Sequence, residues 1–130
     1  MPGIHHVEVW VSPLDVALSE WGWLLRRAGF TLKAEWAEGQ SWDVGGSALV
    51  LTTSPNLKDD PHDRRRPGVN HIAFAVGARE TVDAIMSDAP KHGWTPLYHD
   101  RYPHAGGRDH YAGWVENSSG FKVELVADAV

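Results

Sequence analysis

The feature that most constrains this chain is an internal repeat. Ile4-His5-His6-Val7-Glu8-Val9-Trp10-Val11 resembles Val69-Asn70-His71-Ile72-Ala73-Phe74-Ala75-Val76, and the offset of 65 residues is half of the 130-residue chain. His6 falls on His71 and Val11 on Val76. Self-similarity at this spacing means that one structural unit is used twice, which removes most alternative folds at once. Both segments alternate: Val7, Val9 and Val11 lie on one side with His6, Glu8 and Trp10 on the other, as in a half-buried strand. In the second copy Ile72, Phe74 and Val76 oppose His71, Ala73 and Ala75.

A helical pattern follows each strand. In the first half Leu14, Leu18, Trp21 and Leu25 recur at three- and four-residue steps, with Ser12 as N-cap and Pro13 at the first helical position. In the second, Val82, Ile85, Met86 and Ala89 form the apolar stripe and Pro90 marks the end. Each helix is followed by a glycine and an aromatic residue, Gly29-Phe30 and Gly93-Trp94, which fits a left-handed helix terminus. Further strands are expected near 31–37, 41–45, 47–53, 95–99, 110–117 and 121–127. Residues 54–68 hold Pro55, Pro61, Pro67, Gly68 and the charged run Asp59 to Arg66, and read as the linker. The expectation is one domain over 1–130, with one module over about 3–54, a linker over about 55–68 and a second module over about 69–128.

Composition excludes several classes of function. Twelve Lys and Arg against seventeen Asp and Glu give a formal charge of −5, so no phosphate-tracking surface and no nucleic-acid partner are expected. No apolar stretch approaches the roughly 20 residues of a membrane helix, and a cytoplasmic location is expected. Cysteine is absent, which leaves His, Asp and Glu for any metal chemistry. Seven tryptophans exceed what so small a core usually holds, so some are expected to line a cavity.

The two His-bearing strands, the helix-Gly-aromatic steps and the ending Asn117-Ser118-Ser119-Gly120-Phe121-Lys122-Val123-Glu124-Leu125-Val126 resemble the vicinal oxygen chelate superfamily. That group includes glyoxalase I, fosfomycin-resistance enzymes, extradiol dioxygenases, methylmalonyl-CoA epimerase and bleomycin-binding proteins. The resemblance runs from Gly3 to Ala127. It implies an α+β fold of two βαβββ modules, forming a curved mixed sheet around a metal-containing cavity with helices on the outer face. It also implies that His6, His71 and Glu124 are ligands of a divalent metal: Zn, Ni, Mn or Fe(II). Two imidazoles and one carboxylate would leave coordination positions open. Any one of the three alone would read as an ordinary polar strand residue, and their joint position carries the metal reading. His5 is expected to face the helices or the sheet edge.

Two departures from the family pattern narrow the activity. Aligning Gly46 with Gly120 puts Val50 where the second module has Glu124, so the second carboxylate of a four-ligand, glyoxalase I-like centre is missing. Trp114 stands ten residues before Glu124, where extradiol dioxygenases place a catalytic tyrosine. Ring cleavage is therefore disfavoured against lyase, isomerase or transferase chemistry. Glu8 is a base or a solvated edge carboxylate, and His110 a possible acid or base. His110 and Tyr111 point to opposite faces, so only one of them enters the cavity. Trp10, Trp36, Trp42, Trp114 and Tyr111 are candidates for substrate contact. Trp21 belongs to the core stripe of the first helix, and Trp23 does not. The loop Tyr102 to Asp109 is either a closing flap or a surface connection, and Arg64-Arg65-Arg66 either an anion clamp or a solvated run.

Two functions compete. One is a metal-dependent enzyme acting on a small, oxygen-rich substrate that the metal chelates. The other is a protein that sequesters an aromatic natural product between tryptophan faces without catalysis. The resemblance further implies a homodimer with symmetric contacts.

Overall fold

The computed structural model describes residues 2–129, and the chain divides into two compact units, one ending at Asp60 and the next beginning at Pro61. The first contains β1 (His6–Trp10), α1 (Leu14–Arg27), β2 (Thr31–Trp36), β3 (Gly39–Val44) and β4 (Ser47–Thr52). Its sheet has the order β1-β4-β3-β2, with β1 parallel to β4 and the other pairs antiparallel. The second contains β5 (Ile72–Gly77), α2 (Arg79–Asp88), β6 (Thr95–Leu97), β7 (Ala112–Glu116) and β8 (Lys122–Ala127). Its order, β5-β8-β7-β6, repeats the first sheet, with β5 parallel to β8. This is the α+β arrangement of two βαβββ modules. Each unit's helix lies in the crossover that its parallel strands need, and the antiparallel neighbours are joined by turns, except for the longer 98–111 segment between β6 and β7.

Each sheet has one face against its helix. In the first unit Val9, Val11, Leu49, Leu51 and Trp42 are buried with Trp21, Leu24 and Leu25. In the second, Phe74, Val115, Val123 and Leu125 are buried with Val82, Ile85 and Met86. A Cβ on Gly113 would stand 2.4 Å from Met86 Sδ, so glycine there permits α2 to sit close on β7. The odd-numbered valines of β1 are thus the packed set, and exposed His6, Glu8 and Trp10 occupy the other side. Among the described residues no helix is long and apolar enough to cross a membrane.

The ends of the helices follow from local chemistry. Gly29 has φ of 99°, its N–H donates to Arg26 O (3.1 Å), and the Phe30 N–H donates to Leu25 O (2.8 Å). These two bonds close the last turn and bury Phe30 beneath it. Gly93, with φ of 86°, ends a 3-10 turn over Ala89–His92 that contains Pro90, and the Trp94 N–H donates to Ala89 O. The start of α1 differs from expectation by one residue. Pro13, not Ser12, is the N-cap, its carbonyl accepting from the Ala17 N–H (3.0 Å).

Candidate functional site

Glu124 is the centre of a polar group in the second unit. It lies in β8 between Val123 and Leu125, which pack against the helix side, so alternation turns its carboxylate to the opposite, open face. The residue is only 6% exposed. A carboxylate this deep needs partners. His71 Nε2 is 3.0 Å from Oε1, and His110 Nε2 approaches Oε2 in a short hydrogen bond. Two imidazoles therefore address the two oxygens of one carboxylate. His71 precedes β5, whose Ala73 is the register partner of Glu124, while His110 precedes β7, whose Trp114 is its partner on the other side.

The tautomer of His71 follows from its neighbours. The Asn70 amide Nδ2 donates to Arg64 O (3.1 Å), a carbonyl that can only accept. Asn70 Oδ1 is consequently the atom facing His71 Nδ1 at 2.8 Å, and that nitrogen carries the proton. An unprotonated Nε2 would set two acceptors against each other at the carboxylate. Two acceptors at 3.0 Å require a positive charge between them, either a proton or a cation. His110 differs, since its Nε2–H can donate to Glu124 with the ring neutral. The donor chemistry of His71 and Glu124 thus fits a divalent metal, whose affinity for imidazole nitrogen and carboxylate oxygen is general. Among the described residues, no group of three or more His, Asp or Glu side chains is by itself arranged to hold a metal ion.

Trp114 and a loop shape the surroundings. The Trp114 ring is buried, tilted against His110 (centroids 6.1 Å) and edge-on to Tyr98 (5.8 Å). A Cβ on Gly106 would lie 2.7 Å from the His110 ring and 2.8 Å from that of Trp114, so the 102–109 loop rests directly on both. The loop is tied down from the helix side. Asp83 of α2 accepts hydrogen bonds from the hydroxyls of Tyr102 and Tyr111. Burial, then Asp83, pushes the Tyr102 phenol far up, while Asp83 is the main cause of the rise at Tyr111. Tyr98 moves the other way, because Lys122 Nζ donates to its oxygen (2.8 Å) and favours the phenolate.

The first unit carries the other sequence candidates. His6 is exposed, with its Nδ1 2.9 Å from Nδ1 of His5, so His5 is a ring partner of His6 and does not pack toward the helix. The Glu8 carboxylate accepts from Trp10 Nε1 (2.7 Å) on the same open face. Trp10 and Trp36 are about two-fifths exposed, at 41% and 40%.

Two expected substrate contacts lie elsewhere. Trp42 is 1% exposed, lies over Gly22, stacks under the Arg26 guanidinium and donates from Nε1 to Gln40 Oε1 (3.1 Å). Its register partner is the core residue Leu49, which fixes it on the helix side. Ser41-Trp42-Asp43 already carries the signal, since the flanking polar residues claim the opposite face. Tyr111 likewise turns to α2, beneath the Arg79 guanidinium, leaving His110 on the Glu124 side. Arg64 is also not a free clamp: Nε and Nη2 both meet Glu116 Oε2 at 3.0 Å. Asn70 went unnoticed in the sequence, although it occupies the position that His5 has in the first module.

A sheet order repeated in two βαβββ units, with a His-flanked carboxylate on the last strand, defines a vicinal oxygen chelate fold. The chain belongs to the Glyoxalase/Bleomycin resistance protein/Dioxygenase superfamily, whose family model matches residues 5–114. It is 38% identical over 126 residues to the uncharacterized protein YqjT of Bacillus subtilis, covering 95% of this chain and 98% of that one. A crystal structure from Bacillus halodurans, provisionally described as a glyoxalase, is 37% identical with a TM-score of 0.89, over 95% and 94% of the two chains. A glyoxalase/bleomycin resistance protein from Albidiferax ferrireducens has the same fold at 22% identity, with a TM-score of 0.75 over 95% and 97%.

Proposed function

We propose that this protein is a divalent-metal-dependent enzyme of the superfamily, acting as a lyase, isomerase or transferase on a small substrate with adjacent oxygens. The observation that carries the reading is His71 Nε2 facing Glu124 Oε1 at 3.0 Å while Asn70 engages its Nδ1, so that a cation would complete the pair. His71 and Glu124 would hold the metal, and His6 remains the third ligand that the family resemblance implies. When bound, the metal acts as a Lewis acid toward substrate oxygen. His110 keeps Glu124 Oε2 fixed and is within one hydrogen bond of the centre, which suits it to hand a proton to or from substrate. Glu8 is the second proton carrier, its carboxylate oriented by Trp10. Trp114 is the wall against which substrate would lie beside Glu124, and Trp10 and Trp36 are the exposed aromatic rings of the first unit. The protein acts as a homodimer in this reading, and a monomeric mass at micromolar concentration would contradict that part.

Titration of chelator-treated protein with Zn, Ni, Mn and Fe(II), followed by calorimetry, tests the proposal. Saturable binding of at least one ion at micromolar or lower concentration is expected. No binding by any of the four would defeat the enzyme reading. The exposed Trp10 and Trp36 favour a second reading, an aromatic-ligand sequestering protein. Quenching of tryptophan emission by planar aromatic compounds in the presence of chelator, together with an absence of metal binding, would select it.

A further inference from the structure

We infer that Asn70, held by the linker residue Arg64, is a positioning residue that fixes the His71 imidazole as its Nδ1–H tautomer. The strap from Pro61 to Asn70 is folded onto the second unit and does not trail between modules. His62 stacks on Phe121 with centroids 3.9 Å apart and planes 4° from parallel, and burial holds its imidazole below the ordinary value. The Arg64 side chain is anchored on Glu116 by two contacts of 3.0 Å, and the Arg64 carbonyl is thereby delivered to the Asn70 amide. Asp63 tightens the same turn by accepting from the Arg65 N–H (2.9 Å).

This chain of contacts has a direction. An anchored carbonyl admits only the NH2 end of Asn70, the amide oxygen must then face His71, and the imidazole must offer its proton at Nδ1. The consequence is that Nε2 is the nitrogen left for the Glu124 side. Without Asn70 the ring would take the other tautomer, because Nε2–H donating to a carboxylate is the better hydrogen bond when nothing occupies Nδ1. The strap therefore keeps a ligand-competent form that the Glu124 carboxylate alone would not select. In the first module His5 stands where Asn70 does, but two imidazoles can exchange donor and acceptor roles, so His6 is not fixed in the same way.

Ligand duty for His71 rests on the metal reading above, whereas the tautomer itself does not, and the test separates the two. Long-range 1H–15N correlation spectra of metal-free protein at about pH 8.5, two units above the ordinary histidine value, report which ring nitrogen is protonated. Wild type is expected to show His71 protonated at Nδ1. Asn70→Leu should shift it to Nε2–H and weaken zinc binding about 10- to 100-fold. Asn70→Asp, which keeps an acceptor at Nδ1, should retain the wild-type tautomer. Asn70 is exposed, so neither change threatens the core. A bare Nδ1 in wild type, or an Asn70→Leu variant with unchanged tautomer, would overturn the inference. Wild-type protein with the expected tautomer and no metal binding would uphold it while defeating the metal reading.

Discussion

The two modules share a backbone plan and differ in chemistry at matching points. Parallel pairing sets Glu8 beside Val50 in the first sheet and Ala73 beside Glu124 in the second, so the carboxylate has changed strands. The antiparallel neighbour is Ser41 in one and buried Trp114 in the other. Val50 lies half-buried on the face opposite Leu49 and Leu51, as Glu124 lies opposite Val123 and Leu125. In the first module Glu8 is exposed and tied to Trp10; in the second Glu124 is buried and bracketed by two histidines. The comparison teaches that packing faces are kept by the repeat, whereas the open faces are free to diverge. One of them has become a desolvated, His-rich centre and the other an accessible aromatic surface.

If the packing faces are equivalent, matched core truncations should cost alike. Leu51 and Leu125 occupy corresponding positions and are both fully buried. Leu51→Ala and Leu125→Ala are each expected to lower stability by about 2–5 kcal/mol in urea unfolding. A loss in one module many times that in the other would break the equivalence. The open faces should behave otherwise. His71→Ala is expected to reduce metal affinity at least about 100-fold, since an uncompensated carboxylate and one fewer ligand remain. Its far-ultraviolet circular dichroism should match wild type, because Ile72 and not His71 faces the core. Unchanged metal affinity would remove His71 from the ligand set.

A smaller effect is expected at Val50, the position matching Glu124. Val50→Glu should tighten zinc binding by about tenfold while occupying a position otherwise open to substrate. A fall in stability of several kcal/mol with no change in affinity would contradict the matching of the open faces. The smallest effect concerns the tyrosines that fasten the second module's loop to α2, for which the first module shows no counterpart among the described residues. Tyr111→Phe should cost about 1 kcal/mol at neutral pH. Both phenols are raised in the folded state, so their contribution is complete below the unfolded value of 10.0 and declines as pH rises beyond it. The variant should accordingly lose less stability than wild type between pH 7 and about pH 11, measured by urea unfolding. A steeper alkaline loss would contradict the assigned bonds.

Much of this arrangement is legible in the sequence because the repeat and strict alternation assign faces without reference to partners. His6, Glu8 and Trp10 fall on one side of β1 for that reason alone, and Gly29-Phe30 announces its own helix terminus. What is not legible depends on contacts between segments distant in sequence. Asn70 gains its importance from a carbonyl six residues earlier, anchored in turn by Glu116. His110 sits past a loop through which parity cannot be counted, and its approach to Glu124 is visible only in three dimensions. Trp42 misleads for a different reason. A tryptophan count that exceeds core capacity does not say which rings are surplus, and Trp42, over Gly22, is among those the core admits.

The central claim is that the carboxylate of the second module, and not that of the first, carries the metal. Zinc titration by calorimetry of Glu124→Gln and Glu8→Gln in parallel tests it most directly. Affinity should fall at least about 100-fold in the first variant and stay within about threefold of wild type in the second. Equal affinities in the two variants, or a loss confined to Glu8→Gln, would contradict the account.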